Sequence, residues 1–231
     1  MEYCIKHAPV FSVLEIQLNE AEVVVAQPNS MLSMTSGLQL TASVGRKDSQ
    51  KSGSWLGGMK SVLGGENLFT AEFRAKRDGQ LLMLAPEAQG DILTIQLAGS
   101  TGYYLTRGSY LANVGECRLN IKYGGVKGMM AKTGLFLLHA VGDGTVFCQS
   151  YGAIVEKELT EGEHFFVDNR YMVAFADTVQ YQLVKATKSV KDSIFSGEGL
   201  VVKYTGPGRV YYQTRGKPAV GWLGSLFSAM Y

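Results

Sequence analysis

The sequence predicts an all-β fold, and three observations carry that prediction. Apolar and polar residues alternate with a period of two over many short runs. Twenty-eight glycines and short polar gaps separate those runs, while only five prolines interrupt them. One strand pattern recurs three times.

The alternation is explicit. Leu14, Ile16 and Leu18 flank Glu15 and Gln17, and Leu93, Ile95 and Leu97 flank Thr94 and Gln96. Cys117, Leu119, Ile121 and Tyr123 interleave with Arg118, Asn120 and Lys122, and Val179, Tyr181 and Leu183 with Gln180 and Gln182. Such a strand turns one face to a core and the other to water.

The repeat begins with Leu14–Leu18, Leu93–Leu97 and Val155–Leu159. A bulky run follows each: Val23-Val24-Val25, Tyr103-Tyr104-Leu105 and Phe165-Phe166-Val167. Then come Ser30-Met31-Leu32, Ser109-Tyr110-Leu111 and Arg170-Tyr171-Met172. A second pattern runs from Leu68-Phe69, Leu135-Phe136 and Leu200-Val201 to Gly79, Gly144 and Gly208. Those glycines are spaced by 65 (79 to 144) and 64 residues (144 to 208). Gly142-Asp143-Gly144 and Gly206-Pro207-Gly208 read as tight hairpin turns.

With the second pattern assigned to the unit after it, the first copy starts midway and the last stops midway. The sequence therefore predicts a closed β-helix-like or barrel-like body, one domain over 1–231, with pseudo-threefold repeats. Its C-terminal strands would complete the N-terminal repeat, because joining the ends removes costly open edges. A two-sheet sandwich is the alternative.

Composition bounds the function. With 46% hydrophobic and 18% charged residues, a packed core is expected and disorder is not. A net charge of +2 gives no polyanion signature. Cys4, Cys117 and Cys148 form no Cys-x-x-Cys pair, and their odd number suits free thiols in a reducing compartment. Met1–Lys6 lacks signal-peptide character, and no run approaches the roughly 20 apolar residues that span a bilayer. The expected location is the cytoplasm.

Two segments break the pattern. An insertion from Ser43 to Glu66 holds Trp55, Leu56, Met59, Val62 and Leu63 at helical spacing. The C-terminus repeats the theme with Trp222, Leu223, Leu226 and Phe227. Short helices are expected near 55–63 and 222–230. They would cover an open end of the β body, contact a partner or second subunit, or lie on a membrane surface.

Common chemistries are missing from the sequence. His7, His139 and His164 form no metal-ligand spacing, and no nucleophile elbow or phosphate-binding glycine loop occurs. His139 reads as structural and His164 as solvated. Cys117 and Cys148 read as core residues. Arg74, Lys76 and Arg77, and Lys122, Lys127 and Lys132, form two modest basic clusters, better read as solvated faces than as a nucleic-acid site. No enzyme, metal or cofactor is expected.

Ser196-Gly197-Glu198-Gly199-Leu200-Val201, then Tyr204-Thr205-Gly206-Pro207-Gly208 and Tyr211-Tyr212-Gln213-Thr214-Arg215, resemble the C-terminal signature of the altered-inheritance-of-mitochondria family. Gly64-Gly65-Glu66-Asn67-Leu68-Phe69, Leu84-Ala85-Pro86 and Gly90-Asp91-Ile92 resemble its other markers. The resemblance implies a fold like that of the tryptophan RNA-binding attenuator protein, with pseudo-threefold symmetry and homotrimer assembly. It implies no catalytic residues. The leading expectation is a non-enzymatic oligomeric scaffold or binding protein; the alternatives are a membrane-peripheral protein and an RNA-binding β protein.

Overall fold

The computed structural model describes residues 1–44, 69–99, 101–106, 108–124, 135–185 and 200–216. Every regular element among them is a strand. The first seven are β1 (Glu2–Lys6), β2 (Val13–Leu18), β3 (Val23–Ala26), β4 (Met31–Met34), β5 (Leu38–Val44), β6 (Phe69–Ala75) and β7 (Gln80–Leu84). β8 (Ile92–Ala98), β9 (Tyr103–Thr106), β10 (Tyr110–Gly124) and β11 (Leu135–Gln149) follow. The last six are β12 (Ile154–Leu159), β13 (His164–Asp168), β14 (Met172–Ala176), β15 (Gln180–Lys185), β16 (Leu200–Thr205) and β17 (Gly208–Gln213). The segments 55–63 and 222–230, expected as short helices, lie outside the described residues.

The strands form three sheets: β1-β2-β7-β4; a ten-stranded sheet in the order β12-β17-β14-β9-β11-β10-β3-β6-β5, with β8 also on β11; and β13-β16-β15. One pairing scheme appears three times. β2 pairs β7, β8 pairs the end of β11, and β12 pairs β17, with Leu14 opposite Leu84, Leu93 opposite Cys148 and Val155 opposite Tyr212. On the other side, β4, β10 and β14 set Met31, Tyr110 and Met172 opposite those same three residues. The register then slips in all three, between Met31 and Ser33, Tyr110 and Ala112, and Met172 and Ala174. A bulge adds one residue and bends its strand, so Leu32, Leu111 and Val173 occupy matching bulge positions.

The pairing corrects the expected closure. Val210 lies opposite Lys157 and Phe175, whereas Ile16 lies opposite Tyr3 and Leu82, in a separate sheet. The last strands therefore pair with their own neighbours and do not complete the opening unit. No closed barrel forms among the described strands. The second sequence pattern goes with the repeat strand upstream of it and not the one downstream, because Gln80–Leu84 folds back on Val13–Leu18.

The glycine turns are corrected too. β11 runs unbroken through Gly142-Asp143-Gly144, which lie opposite Cys117, Glu116 and Gly115. A Cβ on Gly142 would strike the Glu116 carbonyl, and its φ of +117° is open essentially to glycine. The glycine lets two strands approach rather than reverse. Gly206-Pro207 joins β16 to β17, which lie in different sheets, so it is a corner and not a hairpin.

The core falls into three clusters. Leu14, Ile16, Leu18, Phe73, Leu82 and Leu84 belong to the first, which also takes in Leu111, Ala112 and Val114 from β10. Ile95, Leu97, Leu105 and Val146 belong to the second, which takes in Val173 and Ala174 from β14. The third holds Leu159, Val167, Phe175, Val202, Tyr204 and Val210. The alternation predicted this outcome: Leu14, Ile16 and Leu18 are fully buried while Gln17 is exposed.

Candidate interaction surface

Two junctions join the three strand sets. β3 hydrogen-bonds to β10, with Val24, Val25 and Ala26 opposite Val114, Asn113 and Ala112. β9 hydrogen-bonds to β14, with Tyr103, Tyr104 and Leu105 opposite Ala176, Phe175 and Ala174. Each junction carries a buried glutamine. Gln149 Nε2 donates to the Gly108 carbonyl and to Gln27 Oε1, both at 3.0 Å, and its Oε1 accepts from the Glu87 N–H at 2.9 Å. Gln213 repeats this with the Arg170 carbonyl and the Tyr151 N–H, both at 2.9 Å. The position matching Gln149 and Gln213 in the first set, one residue past Leu84, is Ala85.

Parallel bridges connect Phe11 with Gly90 and Gly90 with Gly152. Gly90 is required there, because a Cβ would collide with the Ser150 carbonyl. Ser12 Oγ donates to Asp91 Oδ1 at 3.0 Å, and the Asp91 N–H donates to Ser150 Oγ at 3.0 Å, tying the three entry segments together.

The outermost strands of this arrangement differ from their counterparts. β4 pairs with β7 and β13 with β16, and neither makes another strand pairing among the described residues. Leu32 is 56% exposed, whereas Leu111 and Val173 at the matching bulges are fully buried. Met31 and Met34 are also exposed, while Tyr110 and Met172, and Asn113 and Phe175, are buried. Phe166 on β13 is 56% exposed, and Phe11, beside the entry to β2, is 66% exposed. An open strand edge lined with apolar side chains is a natural docking template.

The histidines fit structural roles. His139 Nε2 lies 3.2 Å from Asp177 Oδ2, which also accepts the Gly102 N–H at 2.9 Å. Tyr104 stacks on the imidazole with ring centroids 4.5 Å apart. The pair fastens the loops at 102 and 177 to β11, and Gly102 leaves the space, since a Cβ there would meet both groups. His164 is exposed, with Nδ1 3.1 Å from Thr205 Oγ1.

Charge and thiol chemistry are similarly local. Burial, with Asp143 nearby, pushes the Cys117 thiol up to about 11, so it stays protonated. Hydrogen bonds from Lys157 Nζ at 2.7 Å and from the Thr160 N–H at 2.9 Å hold Glu163 at about 2. Arg74 of the first basic cluster is paired with Glu72 at 2.9 Å, and Arg77 reaches Ser36 Oγ at 3.3 Å. Lys127 and Lys132 of the second lie outside the described residues. Among the described residues no three His, Cys, Asp or Glu side chains converge as metal ligands. No helix there is long and apolar enough to cross a membrane.

The partner residues expected from sequence, Trp55, Leu56, Met59, Val62, Leu63, Trp222, Leu223, Leu226 and Phe227, lie outside the described residues. The β4 edge was not singled out from sequence.

Comparison with known proteins adds a lineage. A family model described as mitochondrial biogenesis AIM24 matches residues 3–215. An uncharacterised protein of Streptococcus pyogenes serotype M6 is 28% identical over 217 residues, covering 93% of this chain and 86% of that one. A crystal structure of a Streptococcus pyogenes protein superposes with a TM-score of 0.75 at 25% identity, covering 100% of this chain and 99% of the other.

Proposed function

The chain belongs to the mitochondrial biogenesis AIM24 family, and within that family we propose that it acts as a non-enzymatic scaffold or binding protein that assembles with itself. One observation carries this reading: the β4 edge exposes Met31, Leu32 and Met34 where the matching side chains of β10 and β14 are buried. Groups of the kind that often serve catalysis have structural duties instead. His139 and Asp177 hold loops, and Cys117 is kept as the neutral thiol.

The body is, on this reading, one domain made of three six-strand units, with β10 and β11 each spanning two strand positions of the middle unit. The three bulges at one register and the two equivalent glutamines support it. Cys4, Cys117 and Cys148 form no disulfide with one another, which fits a reducing compartment such as the cytoplasm.

Light scattering on the full chain tests assembly. The expected result is a whole-number multiple of the single-chain mass at about 10 μM, a concentration at which a contact of about −8 kcal/mol would be largely formed. Three chains is the number that the family resemblance favours. A single-chain mass at about 100 μM refutes the reading.

A further inference from the structure

We infer that the open edge of β8 takes an extended basic segment of a partner protein as an added strand, in the place that β1 occupies beside β2. The inference adds a second kind of partner to the assembly reading and does not rest on it.

β1 supplies the template. It lies antiparallel on β2, with Tyr3, Cys4 and Ile5 opposite Ile16, Glu15 and Leu14. Ile5 packs against the first core, and Leu14 is fully buried. Tyr3 crosses to the second strand set. Its ring stands edge-on to Phe147 with centroids 4.9 Å apart, and its Oη accepts from Gln96 Nε2 at 2.9 Å.

β8 is the counterpart of β2. Among the described residues it pairs with β11 and, at its end, through a bridge from Ala98 to Thr101. The edge that corresponds to the one under β1 is therefore open. Leu93, at the position of Leu14, is only half-buried against the second core. Unpaired N–H and C=O groups beside a half-covered apolar side chain are the setting in which an extended peptide adds as a strand.

The floor of this site fixes the chemistry of the occupant. By register, Glu158 and Arg209 stand where Gln96 and Thr145 stand in the preceding set, and Tyr211 where Phe147 stands. The cross-strand bond repeats as well: Thr145 Oγ1 donates to Gln96 Oε1 at 2.9 Å, and Arg209 Nε to Glu158 Oε2 at 2.8 Å. The change of residue inverts the demand on the incoming side chain. Gln96 donates to Tyr3, whereas a carboxylate at Glu158 only accepts. Glu156 lies 3.5 Å from the same guanidinium, so two exposed carboxylates share one cation and leave net negative charge. Tyr103, where the first junction has the smaller Val24, already leans on Tyr211 with centroids 6.2 Å apart. The residue opposite Ile95 is therefore arginine or lysine rather than an aromatic, and the residue opposite Leu93 is apolar.

A fluorescently labelled peptide, Thr-Arg-Thr-Ile-Lys, carries the β1 pattern with arginine at the place of Tyr3, and its anisotropy with the full chain tests the site. The dissociation constant should be about 1 mM or tighter, and binding should weaken at least threefold from about 0.05 M to about 0.5 M salt. Glu158→Gln should weaken it at least fivefold. Glu158→Lys should abolish it and admit the peptide in which glutamate replaces the arginine. A Cys4→Ser background and the peptide Thr-Arg-Cys-Ile-Lys under oxidation locate the strand. Thr94→Cys, opposite the peptide cysteine, should cross-link at least fivefold faster than the more exposed Gln96→Cys. Opposed residues of an antiparallel ladder lie about 4.5–5.5 Å apart between Cα atoms, within the span of a disulfide.

No binding at about 1 mM, or equal binding of the arginine and glutamate peptides by the wild-type chain, overturns the inference. So does a faster cross-link at Glu15→Cys than at Thr94→Cys, which would mean that the peptide has displaced β1 from β2. Tighter binding of Glu-Tyr-Ser-Ile-Lys, which keeps the tyrosine of β1, would assign the edge to a second copy and overturn it as well. The assembly reading survives each of these results, because light scattering on the chain alone decides it.

Discussion

Replacing Gln149 with methionine should lower stability by about 1–2 kcal/mol. The side chain is buried and makes three hydrogen bonds, two as donor to the Gly108 carbonyl and Gln27 Oε1 and one as acceptor from the Glu87 N–H. Each such bond contributes about 1 kcal/mol net, and a buried group left unpaired costs about 1–3 kcal/mol. Glu87 and Gly108 are exposed, so water can meet their backbone groups, which keeps the loss at the lower end. Methionine preserves volume and length, so little cavity cost enters. Urea denaturation should show the midpoint falling with an unchanged slope, and the melting temperature should drop by about 3–6 °C for a chain of this size. Gln213→Met should behave alike, and the double variant should lose the sum, since the two side chains share no partner. A change under about 0.3 kcal/mol for Gln149→Met would refute the claim that these glutamines hold the junctions.

Three further predictions follow from burial and charge. Leu111→Ala should cost about 2–5 kcal/mol by opening the first core, while Leu32→Ala at the matching bulge should stay within about 0.5 kcal/mol in dilute solution; equal losses by chemical denaturation would contradict the exposure difference. Tyr204 carries a buried hydroxyl with no hydrogen-bond partner among the described residues, so Tyr204→Phe should raise stability by about 1 kcal/mol; a loss on thermal melting would mean the hydroxyl has a role. Glu163 has a folded pKa of about 2, below the ordinary 4.5, so its contribution is complete above about pH 4.5 and is lost as pH falls toward 2. Its NMR titration should move back toward the ordinary range in Lys157→Met, and an unmoved midpoint would show that the Lys157 ion pair is not the cause.

The sequence by itself determined that this chain is built of strands. Alternation is a property of neighbours along the chain: Leu14, Ile16 and Leu18 must share a face whatever lies across from them. The recurrence of that pattern at 14, 93 and 155 was equally legible, as was the burial of Cys148; Cys117 is only half-buried against the second core. Which strands pair was not. Gln80–Leu84 can satisfy its hydrogen bonds on the repeat strand upstream of it, Val13–Leu18, or on the one downstream, Ile92–Ala98, and both groupings give the same repeat. Only tertiary packing chose Val13–Leu18 as its partner, because there Leu82 and Leu84 enter the first core beside Ile16 and Leu14. The same choice left β4 and β13 unmatched. A glycine in a sequence permits a reversal, a corner or a close approach alike; the unbroken ladder through Gly142 and Gly144 reflects contacts with Gly115 and Glu116 more than twenty residues away in the chain.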